Sequence, residues 1–139
     1  MDEKTKVLVH RLIWLVLLAA AVVLTALWAG GVLVVEMWGI YVLIMYDAVC
    51  VAFFIMALLT TYRAYEYDGN IMIVYAGFYY RYLKINGEVM DEHNTVMTFT
   101  AIRLSCTLDD GAVVTANITL TNRISLKINN RLYKNRVKI

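Results

Sequence analysis

Two unbroken apolar runs open the chain, and the pattern changes period after them. Residues 12–35 carry no charged side chain, and residues 37–62 carry a single one, Asp47. A helix rises ~1.5 Å per residue, so either run is long enough to cross ~30 Å of hydrocarbon. The pair predicts a transmembrane helical hairpin over residues 1–62, with spans near 12–31 and 38–62 and a break at Gly30-Gly31. A cleavable signal peptide is the competing reading of the first run. The run is longer than an ordinary signal core and Asp2 and Glu3 dilute its basic start, so a retained helix is expected.

Beyond Arg63 the periodicity shortens to two. Asp68-Gly69, Asn86-Gly87, Asp109-Asp110-Gly111 and Asn129-Asn130 are residue pairs that adopt the positive φ of tight hairpin turns at little cost. Looser connections fall at Ala76-Gly77, His93-Asn94 and Thr121-Asn122. Strand-like segments lie between them at 71–75, 78–85, 96–108, 113–120, 124–128 and 131–137. Residues 63–139 are therefore expected to form a small all-β antiparallel meander of about seven or eight strands, closed as a barrel or folded as a sandwich. The alternation slips inside 96–108, where Met97 and Phe99 hold one phase and Ile102, Leu104, Cys106 and Leu108 the other. A bulge or bend near Thr100-Ala101 is the physical remedy. The run from Leu83 to Val89 echoes the run from Leu126 to Leu132, which suggests one hairpin solution used twice. The fold class is thus membrane α + β.

Composition supports the division. The chain is 61% hydrophobic, against the ~45–50% of ordinary soluble domains, and the excess lies before Arg63. Lys4, Lys6 and Arg11 precede the first run and Arg63 follows the second, while the connection holds Glu36 and no basic residue. The positive-inside rule then places both termini in the cytoplasm, giving a multi-pass protein of the inner membrane. Trp14, Trp28, Trp38, Tyr41 and Tyr62 fit interfacial belts.

Candidate chemistry is sparse. Asp47 stands near mid-depth of the second span, where an acid must be neutral, hydrogen-bonded or wet. It either lines a pore or proton path in an oligomer, or ties helices together through Tyr46 or Thr25. Ala19, Ala20 and Ala21 form a small-residue patch suited to close helix packing, and a homo-oligomer in membrane lipid is expected. His10 is an interfacial residue. His93 sits beside Asp91, Glu92 and Asn94 in what reads as a solvated loop, and no second histidine follows to complete a metal site. No GxSxG, P-loop, GxGxxG or HExxH pattern occurs. The expectation is a non-enzyme with no cofactor and no metal, in which Cys50 and Cys106 are free thiols.

Six basic residues, Arg123, Lys127, Arg131, Lys134, Arg136 and Lys138, crowd the last part of the chain with no acid among them. They suit anionic lipid, an anionic small molecule or nucleotide, or an acidic partner protein; no duplex DNA is expected as a partner. Tyrosines from Tyr62 onward fill the β core or stack on a ligand. In element order alone, two amino-terminal spans followed by a compact β domain, the chain resembles membrane effectors of bacterial cyclic-oligonucleotide antiviral defence. That resemblance implies a signal-binding β domain and spans that assemble. The leading expectation is a membrane-anchored binding or assembly module, with a ligand-gated effector or ion channel as the alternative.

Overall fold

The computed structural model describes residues 1–94 and 100–138. They form two compact units, Met1–Leu58 and Leu59–Ile139. The first holds α1 (Glu3–Ala29) and α2 (Met37–Leu59), both long and apolar enough to cross a membrane. Asp2 caps α1, accepting a hydrogen bond from the Thr5 amide at 2.8 Å. The Thr5 bonds hold the Asp2 carboxyl below the ordinary aspartate range. At the other end the Gly31 amide donates to the Trp28 carbonyl and Val32 to Leu27, with Gly31 at φ 76°. This is a Schellman closure, and it needs the left-handed backbone that glycine adopts without strain.

The helices meet along a seam. Arg11, Trp14, Leu18, Ala21, Thr25 and Trp28 of α1 and Gly39, Leu43, Tyr46, Cys50, Phe53 and Ala57 of α2 are among the buried or half-buried positions, and their three- and four-residue steps put each series on one stripe of its helix. Trp14 stacks on Phe53 with ring centroids 4.6 Å apart. Arg11 donates to the carbonyls of Ala57 and Leu58 at 3.3 and 3.1 Å, satisfying acceptors that α2 leaves open at its end. A Cβ at Gly39 would clash with the Val35 side chain, so a larger residue there requires Val35 to move.

The second unit is all antiparallel β. Its strands are β1 (Thr61–Tyr67), β2 (Asn70–Ala76), β3 (Tyr80–Ile85), β4 (Glu88–Asn94), β5 (Ile102–Thr107), β6 (Val113–Ile118), β7 (Ile124–Ile128), β8 (Arg131–Tyr133) and β9 (Arg136–Val137). They pair as two sheets, β4-β3-β2-β1-β9 and β5-β6-β7-β8. The meander is as expected, but it does not close into a barrel among the described residues. Among the described residues no ladder pairs β4 with β5, and Asp91 Oδ2, accepting from the Ser105 amide at 2.9 Å, links them. At the opposite seam β8 ends after three residues, and the chain crosses to pair with β1 through Ala64–Val137 and Tyr65–Arg136 alone.

Two strands were not evident in the hydrophobic pattern. Tyr62 and Arg63 belong to β1, which starts almost directly after α2. The Asp91–Asn94 cluster, expected as a loop, lies on β4, with His93 opposite Arg81 and Glu92 opposite Tyr82. This edge strand is polar on both faces, so alternation could not reveal it. The Tyr80 hydroxyl donates to Glu92 and helps hold it in place. The expected strand 96–108 is shorter: β5 begins at Ile102 after a bend at Thr100, while Val96, Met97 and Phe99 lie outside the described residues.

The internal echo extends to the whole unit. β1–β4 and β5–β8 are two meanders whose registers match except at the shift between Leu83 and Lys84 in the β3–β4 pair. Met72, Val74 and Ala76 pair with Ile85, Leu83 and Arg81, as Val114, Ala116 and Ile118 pair with Ile128, Leu126 and Ile124. Asn86 bonds both backbone groups of Ile71, amide to carbonyl and Oδ1 to amide, each at 2.9 Å, and Asn129 does the same to Val113. Their φ values are 49° and 50°. The inner faces of the two sheets form one core, with Met72, Val74, Leu83, Val114, Ala116 and Leu126 fully buried.

The match breaks at one end, where Arg81 replaces an apolar residue. It is fully buried, and donates to the carbonyls of Gly77 and Thr100 at 3.1 and 2.8 Å and to Asn122 Oδ1 at 2.8 Å. Burial lowers its pKa from the ordinary guanidinium value. Arg63 likewise donates to the Ile124 carbonyl at 2.9 Å. These contacts clamp the first sheet to the second. Arg81→Met strands several buried acceptors and is expected to cost about 3 kcal/mol or more, while Asn129→Ala, losing one turn bond, costs about 1 kcal/mol. Urea unfolding of the solubilised chain, followed by circular dichroism, checks that order.

Candidate functional site

Two places gather polar groups against apolar surroundings, one in each unit. In the hairpin, Thr25 Oγ1 donates to Asp47 Oδ2 at 2.5 Å. Asp47 Oδ1 is shielded and has no hydrogen-bond donor. The pair borders an open groove of about 390 Å³ lined by Leu18, Ala21, Val22, Ala26, Ala29 and Val51 as well. Of the three alanines singled out from sequence, Ala21 is buried in the seam, whereas Ala19 and Ala20 are exposed. Ala21 follows Leu18 and precedes Thr25 on the same stripe, while Ala19 and Ala20 are turned off it by the 3.6-residue period. Tyr46 lies on the seam but lines a second, wholly apolar groove with Leu24, Leu33, Val35, Gly39, Val42 and Leu43. The structure thus brings Thr25 and Asp47 together and sets Tyr46 apart from their groove.

The β unit carries the second site. β8 covers only Leu126–Ile128 of β7, so Ile124 and Ser125 border a gap. Across it stands β1 with its short partner β9. The resulting cleft, about 440 Å³, is lined by Tyr65, Ile124, Ser125, Leu126, Leu132, Tyr133, Lys134 and Arg136. Tyr133 is anchored, its hydroxyl donating to the Glu66 carbonyl and its ring meeting Tyr67 edge-on at 5.6 Å. Tyr65 is 1% exposed, and its ring lies 6.5 Å from that of Tyr133.

The six basic residues therefore divide. Lys134 and Arg136 reach the cleft, whereas Arg123, Lys127, Arg131 and Lys138 do not line it. Lys127 is half-buried beside Thr115 and Leu132, and Arg123, Arg131 and Lys138 are exposed. Tyr65 was among the tyrosines expected to fill the core or face a ligand, and it does line the cleft, though the strand that carries it, β1, was not foreseen. The sequence argument passed over Arg81, although a charge in phase with Leu83 and Ile85 was the available signal.

The remaining candidates stay apart. Asp91, Glu92 and His93 alternate along β4, and no cluster able to hold a metal ion occurs among the described residues. Both cysteines are free. Burial first, and Asp91 second, raise the Cys106 thiol above its usual range. Comparison with protein-family models, characterised proteins and solved structures finds no match.

The Thr25–Asp47 bond is the one polar link between the helices at this depth whose loss leaves a shielded carboxylate without any donor. Thr25→Val is expected to destabilise the hairpin by about 1–2 kcal/mol, read as a lower midpoint of helix unfolding in mixed micelles. Thr25→Ser, which keeps the hydroxyl, should sit close to the parent.

Proposed function

We propose that this chain is a small multi-pass protein of the inner membrane, with both termini cytoplasmic. Its hairpin serves as anchor and self-association element, and its β unit as a binding or assembly module. The observation that carries the reading is Asp47 Oδ1, shielded beside an open groove and lacking a donor. Lipid tails offer no hydrogen bond and no hydrophobic drive between helices, so polar groups and small residues govern what packs there. Ala26 and Ala29, exposed beside Thr25, give a neighbouring helix close approach, and a second copy is the occupant always present in the same bilayer. Lys4, Lys6, Arg11 and Arg63 against Glu36 support the orientation.

Mass measurement of the detergent-solubilised protein should give a defined multimer. Ala26→Leu, which fills the groove, should shift it toward monomer without lowering helix content. A parent that is strictly monomeric at all protein-to-detergent ratios removes the self-association reading.

A second reading, a ligand-gated effector or channel, draws on that same oxygen. A shielded acid without a donor at mid-depth is the type of group that lines water paths. The basic β surface would then receive a phosphate-bearing ligand. In liposomes, Asp47→Asn should alter conductance relative to the parent; if the parent conducts under no ligand, the channel reading is lost and the anchor reading stands.

A further inference from the structure

The cleft on the β unit has a composition that narrows what it can hold. Its floor is apolar, formed by Ile124, Leu126 and the ring of Tyr65, all nearly or fully buried. Two exposed cations from the crossover into β9, Lys134 and Arg136, stand at its margin. Among the described residues neither has an acidic partner within ion-pair distance. Tyr65, 1% exposed, adds a phenol to the lining of the cleft.

Each competing occupant fails on one of these features. A wholly apolar ligand would leave the phenol and both cations without use. A bare inorganic anion would be held at the margin and leave the floor wet. A polymer backbone would draw on the neighbouring Arg123, Lys127 and Arg131, which do not line the cleft. At about 440 Å³ the space matches small-molecule sites, which run from ~300 to ~1,000 Å³.

We propose that this cleft, at the gap between β7 and β1, binds a small organic phosphate, with its anionic head between Lys134 and Arg136 and its apolar body on Ile124, Leu126 and Leu132. Arg136 offers a planar fork and Lys134 a compact charge, together matching a dianionic head. The Tyr65 hydroxyl donates to the ligand where head and body join. The proposal rests on the reading of the β unit as a binding module and assigns that module its ligand class. The head has two possible sources, a soluble phosphate ester or a phosphomonoester lipid, and both present the same chemistry.

The test uses the full chain in phosphatidylcholine nanodiscs, titrated calorimetrically with phenyl phosphate. Inorganic phosphate supplies the head alone and benzyl alcohol the body alone. Phenyl phosphate should bind at least tenfold more tightly than either fragment. Lys134→Met and Arg136→Met, both at exposed positions, should each weaken it about tenfold, and Tyr65→Phe, which keeps the ring, roughly as much. Arg123→Met should leave it unchanged, and an unaltered melting temperature for Arg136→Met secures the comparison if Tyr65→Phe is unstable. Adding phosphatidic acid to the discs separates the sources: competition marks a lipid head in the cleft, and its absence a soluble ester. Phenyl phosphate binding no better than inorganic phosphate, or equal losses from Arg123→Met and Arg136→Met, overturns the site. The mass of the same discs reports self-association independently, so assembly without phenyl phosphate binding defeats this inference and leaves the anchor reading intact.

Discussion

One shared layer of side chains holds the β unit together. Met72, Val74 and Leu83 from one sheet and Val114, Ala116 and Leu126 from the other are all fully buried, and a layer this thin must be filled from both faces at once. That demand fixes the inward phase of every core strand, since a slip by one residue would turn a whole strand's apolar set outward. The two asparagine turns, at Asn86 and Asn129, lock the phase by bonding both backbone groups of the strand opposite. Where the layer runs out, at Arg81 and Arg63, the sheets are joined by hydrogen bonds to carbonyls instead of by packing.

The hairpin answers the opposite problem. Most of its surface is apolar, and apolar contact alone does not discriminate between a neighbouring helix and a lipid tail. Its seam therefore depends on shape and on a few directional bonds. Ala21, Cys50 and Ala57 are among its buried residues. Arg11 closes one end of the seam and the Thr25–Asp47 bond lies toward the other. Arg11, one of the basic residues on which the proposed orientation rests, also satisfies carbonyls at the end of α2.

Much of this was legible in the sequence, for identifiable reasons. Long uncharged runs have few interpretations, and Asp-Gly, Asn-Gly and Asn-Asn pairs mark positive φ directly, as the angles at Asp68, Asn86 and Asn129 bear out. The twofold echo around Lys84 and Lys127 was visible, though its extension to β1 and β5 was not, because Tyr65 and Cys106 share a register position and little else. β4 escaped notice because Glu88, Asp91, Glu92 and His93 lack any apolar face. The grouping of Lys134 and Arg136 with Tyr65 was foreseen only as tyrosines near a basic end, not as these three residues. It joins residues from opposite ends of the unit through a crossover that no local pattern announces. The three alanines illustrate a finer limit: composition located the patch, and helical phase selected Ala21 from it.

The departure of β8 from its sheet after three residues has a wider meaning. Its counterpart in the other half, β4, runs for seven residues and is stitched to β5 through Asp91. A duplicated architecture would ordinarily offer two equivalent openings, yet unequal strand lengths leave a cleft beside β7 and a bridged seam beside β4. On the binding proposed above, the described residues offer this cleft once per polypeptide, so any steepness in response to concentration would come from counting chains rather than from paired clefts within one.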